Sequence, residues 1–263
     1  MLSYQHSYHA GNLADVHKHA VLAWVLSYLI RKDKPLSYIE THAGRGLYDL
    51  DSQASQKTGE AAAGISALAD RFAAHHAYAQ TIARIRHKHG ANAYPGSPVI
   101  AAEILRPMDD IHLSELHPQE FAALSANMAA YGAVLRQKDG LATALSLSPP
   151  EPRRGLLLID PSYEVKSEYQ ALPKFIAQVH RKWPVGVIML WYPILTDNRH
   201  KPMLTALRKI SDDATVHEVS FPPARKGHGM VGSGLFVINA PYGFDDAAKE
   251  VSDLFARLNA GPM

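Results

Sequence analysis

The sequence predicts an α/β protein built on a largely parallel sheet, with a small helical insertion. Residues 156–159 and 185–195 are apolar runs with the length and composition of strands buried on both faces. Segments with helical spacing of apolar residues alternate with such runs along most of the chain. Several predicted strands end in an acidic residue, and in open α/β sheets ligands bind just beyond the carboxyl ends of the strands. We therefore expect a ligand site at that edge.

The composition is typical of a globular protein with one large domain. The chain has 263 residues, of which 47% are hydrophobic and 20% charged, so it is long enough for one domain with a modest insertion. It has no cysteine, which excludes disulfides and thiolate metal sites. Nothing resembles a signal peptide, and the most apolar early run, residues 20–30, is too short to span a bilayer. We expect a cytoplasmic protein without membrane association.

The first thirty residues combine a histidine-rich segment with a helix. Asn12 is a good N-cap with Asp15 three residues later, and helical spacing continues to about residue 31. The four histidines here do not form an evident metal site, because His17 and His19 point to different helix faces and no cysteine or carboxylate completes an obvious ligand set. We predict no metal.

Residues 36–40 read as the first strand of the sheet. The turn that follows, residues 41–46, contains Gly44 and Gly46, which allow close backbone approach to a ligand. The turn matches neither the GxGxxG fingerprint nor a P-loop. This is nevertheless the position of a nucleotide-binding turn in an α/β sheet.

Residues 52–90 interrupt the sheet pattern. They are rich in alanine and predict helices over 59–74 and 76–88. We therefore divide the chain into a sheet domain, residues 1–51 and 91–263, and an inserted helical subdomain, residues 52–90.

A basic cluster closes the insertion, formed by Arg84, Arg86 and Lys88 with adjacent histidines. Most such clusters are solvated helix faces. The whole chain has 27 lysines and arginines against 25 acids, so net charge barely indicates a polyanionic partner. The position of the cluster in an insertion favours contact with a partner.

The αβ alternation resumes after the insertion. Ser97 is placed to cap a helix over 97–106, and such an N-terminus is a natural carboxylate or phosphate site. Glu115 follows the strand 110–114, and Asp139-Gly140 follows the strand 133–137. The remaining elements are predicted as helices over 118–131, 169–182, 199–210 and 244–258 and strands over 156–159, 185–195, 215–221 and 235–239.

The strand 156–159 ends abruptly in Asp160-Pro161-Ser162-Tyr163. Pro161 has no backbone N–H, so the strand stops there. The acid, the rigid turn and the aromatic ring therefore lie together at the edge of the sheet where a ligand is expected. Taken alone, the tetrad fits an ordinary strand end with a turn equally well.

The four strand ends together resemble those of the Rossmann-like methyltransferases that use S-adenosylmethionine. In that pattern a glycine turn passes the amino-acid moiety, the second-strand acid holds the ribose and the third-strand Asp faces the adenine. The tetrad at 160–163 resembles the Asp-Pro-Pro-Tyr signature of enzymes that methylate adenine N6. It departs from that signature at Ser162, which restores a backbone N–H where the family has a second proline.

More narrowly, four segments resemble the RlmJ family, adenine-N6 methyltransferases of large-subunit ribosomal RNA. They are YQHSYHAGNLADVHKH, YIETHAGRGLYDL, YPGSP and LLLIDPSYE, and the resemblance runs nearly end to end. It implies S-adenosylmethionine as cofactor and large-subunit ribosomal RNA as partner, met before assembly is complete. No obligate protein partner is implied.

The resemblance also assigns roles to single residues. Asp160 and the backbone carbonyl of Pro161 would accept N–H bonds from the target amine, and Tyr163 would stack on the extruded base. Tyr4, His6 and Tyr163 would meet RNA. The basic cluster is a further candidate for RNA contact, on its position in the insertion and not on the resemblance. Cofactor contacts would come from Lys18, His19, His42, Gly44, Ser97, Glu115, Asp139, Gly140 and Asp160.

Three other functions compete with this interpretation. If the protein were a non-catalytic nucleic-acid or cofactor-binding module, the tetrad at 160–163 would have no function. A hydrolase lacks a GxSxG elbow and a cysteine. A DNA adenine methyltransferase, or another DNA-handling role, is the nearest alternative. The chain has no evident second base-recognition domain, which favours a structured RNA read by shape.

Overall fold

The computed structural model describes residues 6–224, 227 and 229–259. Tyr4, which the resemblance places near RNA, lies outside the described residues. The strands are β1 (Ser37–Glu40), β2 (Leu47–Asp49), β3 (Ala93–Pro95), β4 (Asp110–Ser114), β5 (Val134–Arg136), β6 (Gly155–Ile159), β7 (Val187–Leu195), β8 (Thr215–Ser220) and β9 (Met230–Ile238). The helices are α1 (Leu13–Leu29), α2 (Gln53–Thr58), α3 (Glu60–Ala63), α4 (Ile65–Leu68), α5 (Ala77–His89), α6 (Ser97–Ile104), α7 (Pro118–Met128), α8 (Gly140–Leu147), α9 (Glu168–Lys182), α10 (His200–Leu207) and α11 (Phe244–Asn259).

Seven strands form one sheet in the order β5-β4-β1-β6-β7-β9-β8. The first five in that order are parallel, and β9 runs antiparallel to both β7 and β8. Since parallel strands end at the same edge, the residues after β1, β4, β5, β6 and β7 meet there. The α/β class and all seven predicted sheet strands are confirmed.

Helix α1 lies at the centre of the fold. Thirteen of its 17 residues are buried, because it packs against β9 and against α5, α6 and α11. Asn12 caps it by accepting a hydrogen bond from the Asp15 backbone N–H at 2.9 Å, as predicted. Water cannot hydrate the polar side chains of such a buried helix. Those of α1 must therefore find hydrogen-bond or ion-pair partners inside the protein.

The predicted helix over 59–74 is wrong, because the chain there is broken into short turns. Gly59 has a φ of 67° and ends α2 in the left-handed conformation. Gly64 lies so close to the preceding loop that a Cβ on it would be 2.1 Å from the Gly11 carbonyl oxygen. The buried side chains of this segment join the core that includes α1. The division of the chain at residues 52 and 90 stays a prediction.

Three further elements were not predicted. Strands β2 and β3 pair with each other in a separate two-stranded sheet. Helix α8 begins directly after Asp139, which accepts a hydrogen bond from the Ala142 backbone N–H at 2.8 Å. Strand β9 begins five residues earlier than predicted, at Met230.

None of the described helices has the length and apolar character to cross a membrane.

Gly155 on β6 lies opposite Ser37 on β1, and Gly155→Ala should destabilise the fold. An added Cβ would lie 1.9 Å from the Ser37 carbonyl oxygen, so the strands would have to separate. We expect a loss of about 1–3 kcal/mol in the free energy of unfolding, measured by urea denaturation. Gly229→Ala is the control, because its Cβ would meet no atom of the described residues within 4 Å. Equal stability of the two variants would contradict this packing.

Candidate active site

A cavity of about 490 Å³ opens at the carboxyl edge of the parallel strands. Its volume falls in the range of small-molecule sites. Twelve of the predicted site residues line it: His6, Lys18, His19, His42, Gly44, Ser97, Glu115, Asp139, Gly140, Asp160, Pro161 and Tyr163. The structure therefore brings together residues that are up to 157 positions apart in the chain.

A buried ion cluster forms one wall of the cavity. The Lys18 ammonium donates to Asp160 Oδ2 at 2.5 Å and lies 3.0 Å from Asp15 Oδ1. Burial alone would lower the pKa of Lys18, but the two carboxylates raise it above its ordinary value. Lys18 therefore stays protonated and holds the Asp160 carboxylate in place.

Asp15 ties the N-terminal segment to this cluster. Its Oδ2 accepts hydrogen bonds from His6 Nε2 at 2.8 Å and from the Gly11 backbone N–H at 3.0 Å. Although burial raises the pKa of Asp15, His6, Lys18 and His19 hold it well below its ordinary value. The predicted RNA-facing His6 is thus held at the cavity by an ionised carboxylate.

His19 is a neutral histidine within the core of the site. Burial lowers its pKa to about 3, and its Nδ1 forms a hydrogen bond with the Tyr94 hydroxyl at 2.8 Å. Tyr94 in turn bonds to the Tyr78 hydroxyl at 2.9 Å. These bonds link α1 to β3 and α5, so His19 has a structural role in addition to lining the cavity.

Glu40 is a second buried acid of this region, and Ser97 is one of its hydrogen-bond partners. Ser97 does not cap α6 as predicted, since Gly96 is the N-cap and makes no side-chain hydrogen bond. The Ser97 hydroxyl instead donates to Glu40 Oε1 at 2.5 Å, and the Tyr38 hydroxyl donates to Oε2 at 2.8 Å. Burial raises the pKa of Glu40 to about 8, with nearby Asp160 adding to the effect.

Glu115 organises the glycine turn after β1. Its Oε2 accepts from the Gly44 backbone N–H, and its Oε1 accepts from the His117 backbone N–H, both at 2.8 Å. Gly44 needs its glycine, because its φ is 59° and a Cβ would lie 2.6 Å from the Tyr48 hydroxyl oxygen. Two strand ends are therefore locked together by one carboxylate.

Asp139 and Gly140 place the start of α8 directly over the end of β1. A Cβ on Gly140 would be 1.8 Å from the Thr41 carbonyl oxygen, so only glycine allows this approach.

His42 is a half-buried histidine of the turn after β1. The Thr41 hydroxyl and His42 Nδ1 are 2.7 Å apart. Burial lowers the pKa of His42, although Asp160 and Asp139 oppose the shift.

Tyr163 is more deeply packed than a free stacking platform would be. Its φ is 56°, its side chain is only 7% exposed, and its hydroxyl donates to the Trp191 carbonyl oxygen at 2.8 Å. Its ring contacts that of Tyr169, with 4.6 Å between centroids, and that of Trp191 at 6.0 Å. Tyr163 is nevertheless among the residues that line the cavity.

Trp191 is a cavity residue that sequence reasoning missed. It is half-buried on β7, and the Lys18 ammonium lies 5.6 Å from its ring centroid. Its indole N–H donates to the Ser233 hydroxyl at 2.9 Å, and Ser233 in turn bonds to His17 Nδ1 at 2.8 Å. One sequence feature could have predicted this position: Trp191 belongs to the apolar strand that pairs with the strand before Asp160.

Arg84, Arg86 and Lys88 are absent from the cavity lining. Two of them pair with Glu103 on α6: Arg84 Nε at 3.1 Å and Lys88 Nζ at 2.7 Å from its carboxylate oxygens. The cluster therefore ties α5 to α6 in addition to any role toward a partner. Across the part of the chain that the structure describes, no group of three or more histidines, aspartates or glutamates could hold a metal ion.

Comparison with known proteins identifies relatives that match nearly the whole chain. A family model described as "Ribosomal RNA large subunit methyltransferase D, RlmJ" matches residues 33–261. Ribosomal RNA large subunit methyltransferase J of Escherichia coli is 38% identical over 260 residues, covering 95% of this chain and 91% of the relative. The protein of the same name from Haemophilus influenzae is 37% identical and covers 95% and 92%.

Solved structures agree with the family match. A crystal structure of a Legionella pneumophila protein superposes with a TM-score of 0.87 at 36% identity, covering 96% of this chain and 95% of that one. A probable spermidine synthase from Corynebacterium glutamicum gives a TM-score of 0.53 at 13% identity, covering 90% and 70%, which shows a shared fold alone. The Rossmann-like methyltransferase fold expected from the sequence is confirmed.

Glu40→Gln should make the protein more stable at high pH and change little near pH 5. Because the pKa of Glu40 in the folded protein, about 8, lies above the ordinary 4.5, its contribution to stability is full below pH 4.5 and is lost as pH rises through 8. Gln is neutral at every pH, and the neighbouring hydroxyls can reorient to accept from its amide. Urea denaturation at about pH 5 and pH 9 measures the difference. A difference between the two proteins that is the same at both pH values would contradict a protonated Glu40.

Proposed function

The chain belongs to the RlmJ family of ribosomal RNA large subunit methyltransferases, and we propose that it methylates the N6 amine of an adenosine in large-subunit ribosomal RNA. It is an S-adenosylmethionine-dependent methyltransferase. The observation that carries the adenine-N6 assignment is the Asp160 carboxylate, which lines the cavity at the end of β6, beside Pro161 and against the Lys18 ammonium.

The residues of the cavity fit S-adenosylmethionine. Glycines at 44 and 140 let backbone approach where a Cβ would collide, and Glu115 and Asp139 offer carboxylates for polar groups. His42, Gly44 and Gly140 would hold the cofactor along the β1 turn, Glu115 its ribose and Asp139 its adenine side. Lys18, His19, Ser97 and Asp160 would complete its surroundings. The cofactor supplies a methyl group on a sulfonium sulfur.

The role of Asp160 follows from the chemistry of the acceptor. The exocyclic amine of adenine is a poor nucleophile, because its lone pair is delocalised into the ring. Asp160 and the Pro161 carbonyl would each accept one N–H bond, leaving the nitrogen lone pair directed at the methyl group. Much of the rate would come from this positioning.

Proton transfer would also fall to Asp160. The amine gains a methyl group and must lose one proton. Lys18 is already protonated and held so by two carboxylates, so it cannot take that proton. Asp160, with access to the cavity, would accept it and release it to solvent.

The RNA would reach this site across the N-terminal segment and the aromatic wall. His6, Tyr163 and also Tyr4 would approach the target nucleotide, and Arg84, Arg86 and Lys88 would meet phosphates farther away. We expect the enzyme to act in the cytoplasm on ribosomal RNA before assembly is complete, without an obligate protein partner. A DNA substrate is not favoured, because both curated relatives are named as ribosomal RNA methyltransferases.

The proposed reaction is tested with methyl-labelled S-adenosylmethionine and ribosomal RNA, both naked and in particles, followed by nucleoside analysis. We expect label in N6-methyladenosine from large-subunit RNA, with naked RNA the better substrate. Duplex DNA serves as the control acceptor. Label in another nucleoside, or equal transfer to DNA, would contradict the assignment.

Substitutions at Asp160 should separate its two roles. Asp160→Asn keeps an oxygen that can accept from Lys18 and from the amine but cannot take a proton, so single-turnover methylation with saturating cofactor should fall by about 10²–10⁴. Asp160→Ala loses positioning too and should be slower still. Asp212→Asn, an exposed acid on another loop, is the matched control and should behave like the parent. Parent-like turnover in Asp160→Ala would remove Asp160 from the mechanism.

A further inference from the structure

A second hollow, here called the groove, lies beside the active-site cavity, between α9 and α10. Its floor is formed by Tyr169, Pro173, Pro202 and Met203, and its volume is about 620 Å³. Tyr169 also packs its ring against Tyr163 of the cavity, with centroids 4.6 Å apart. The groove and the cavity are therefore separated by little more than two aromatic rings.

The groove lies at the same edge of the sheet as Asp160. Helix α9 follows β6 and α10 follows β7, and both strands end at the edge where Asp160 lies. The groove residues come from the first two turns of each helix and from the loops before them. The N-termini of both helices, which carry a partial positive charge, therefore lie beside the groove.

The charges around the groove favour an anion. Lys166, Lys174 and Arg199 line it, against one carboxylate, Asp197, which is already paired with Arg199. The two lysines are exposed, and none of the ion pairs found among the described residues involves them. An apolar floor beneath a cationic rim suits a ribose or base with its phosphate.

Tyr169 supplies an independent sign of a ligand. The residue is only 7% exposed, and its hydroxyl is buried with no hydrogen-bond partner among the described residues. Tyr169 lines the groove and is not among the residues that line the active-site cavity. A buried hydroxyl without a partner is unfavourable, so an acceptor from outside the chain would satisfy it.

We propose that this groove binds a nucleotide that adjoins the target adenosine in the RNA strand. Its phosphate would lie between Lys166, Lys174 and Arg199, and its ribose or base would rest on the apolar floor within reach of the Tyr169 hydroxyl. The inference rests on the proposed function, since it needs a strand whose target base enters the neighbouring cavity. Single-stranded RNA is the partner that such stacking and phosphate binding fit.

The charge contribution is tested with Lys166→Ala combined with Lys174→Ala. Binding of a single-stranded RNA that contains the target adenosine is measured over a salt series. We expect a weaker affinity and a salt slope flatter by up to about 1.4, at about 0.7 for each phosphate that a lysine no longer neutralises. Lys32→Ala with Lys34→Ala is the matched control, because these exposed lysines precede β1 at the opposite edge of the sheet. A parent-like slope in the groove variant, or an equal change in the control, would overturn the proposal.

Tyr169→Phe distinguishes ligand binding from a packing role. Phe keeps the ring against Tyr163 but removes the buried hydroxyl, so the free protein should be as stable as the parent or more stable. RNA affinity should nevertheless fall, about threefold to thirtyfold for the removal of one hydrogen bond. Unchanged RNA affinity in this variant would show that the hydroxyl has no ligand.

Failure of this proposal can be told apart from failure of the proposed function. If the parent methylates ribosomal RNA while the groove variants bind it like the parent, only the groove assignment is wrong. If the parent transfers no methyl group to RNA, the proposed function itself is wrong. Calorimetric binding of S-adenosylmethionine by each groove variant confirms that the neighbouring cavity is intact.

Discussion

The fold depends on one buried cation, the Lys18 ammonium between Asp15 and Asp160. A charge in the interior is tolerated only when it is paired, and removal of one partner typically costs about 3–5 kcal/mol. Lys18 can be there because α1 is enclosed by the sheet and by other helices. Asp15 also anchors His6, so the N-terminal segment, the central helix and the end of β6 converge on a single electrostatic centre.

Three acids near the cavity have different environments. Asp160 faces a fixed cation, Glu115 accepts two backbone N–H groups, and Glu40 is buried with two hydroxyl donors. Burial raises the pKa of Glu40 to about 8, whereas the neighbouring charges keep Lys18 protonated. A protonated Glu40 already carries its proton and cannot accept another. In our proposal this difference reserves proton acceptance for Asp160.

The sequence predicts this arrangement as far as local patterns reach. Apolar runs and strand-end acids locate the sheet edge, and Asn12 predicts the start of α1. The Ser97–Glu40 and Lys18–Asp160 hydrogen bonds join residues 57 and 142 positions apart, and no local spacing encodes them. Trp191 looked like one more apolar residue of a buried strand. The burial of Tyr163 depends on Tyr169 and Trp191, which come from other elements.

The most direct test of the account is a crystal structure of the protein with S-adenosylhomocysteine and adenosine. We predict that adenine N6 lies about 2.7–3.2 Å from an Asp160 carboxylate oxygen, with Lys18 still bound to that carboxylate. The adenine ring should contact Tyr163 and Trp191. An adenine whose N6 points away from Asp160, or a carboxylate that turns away from the cavity toward Lys18 alone, would contradict the central role given to this residue.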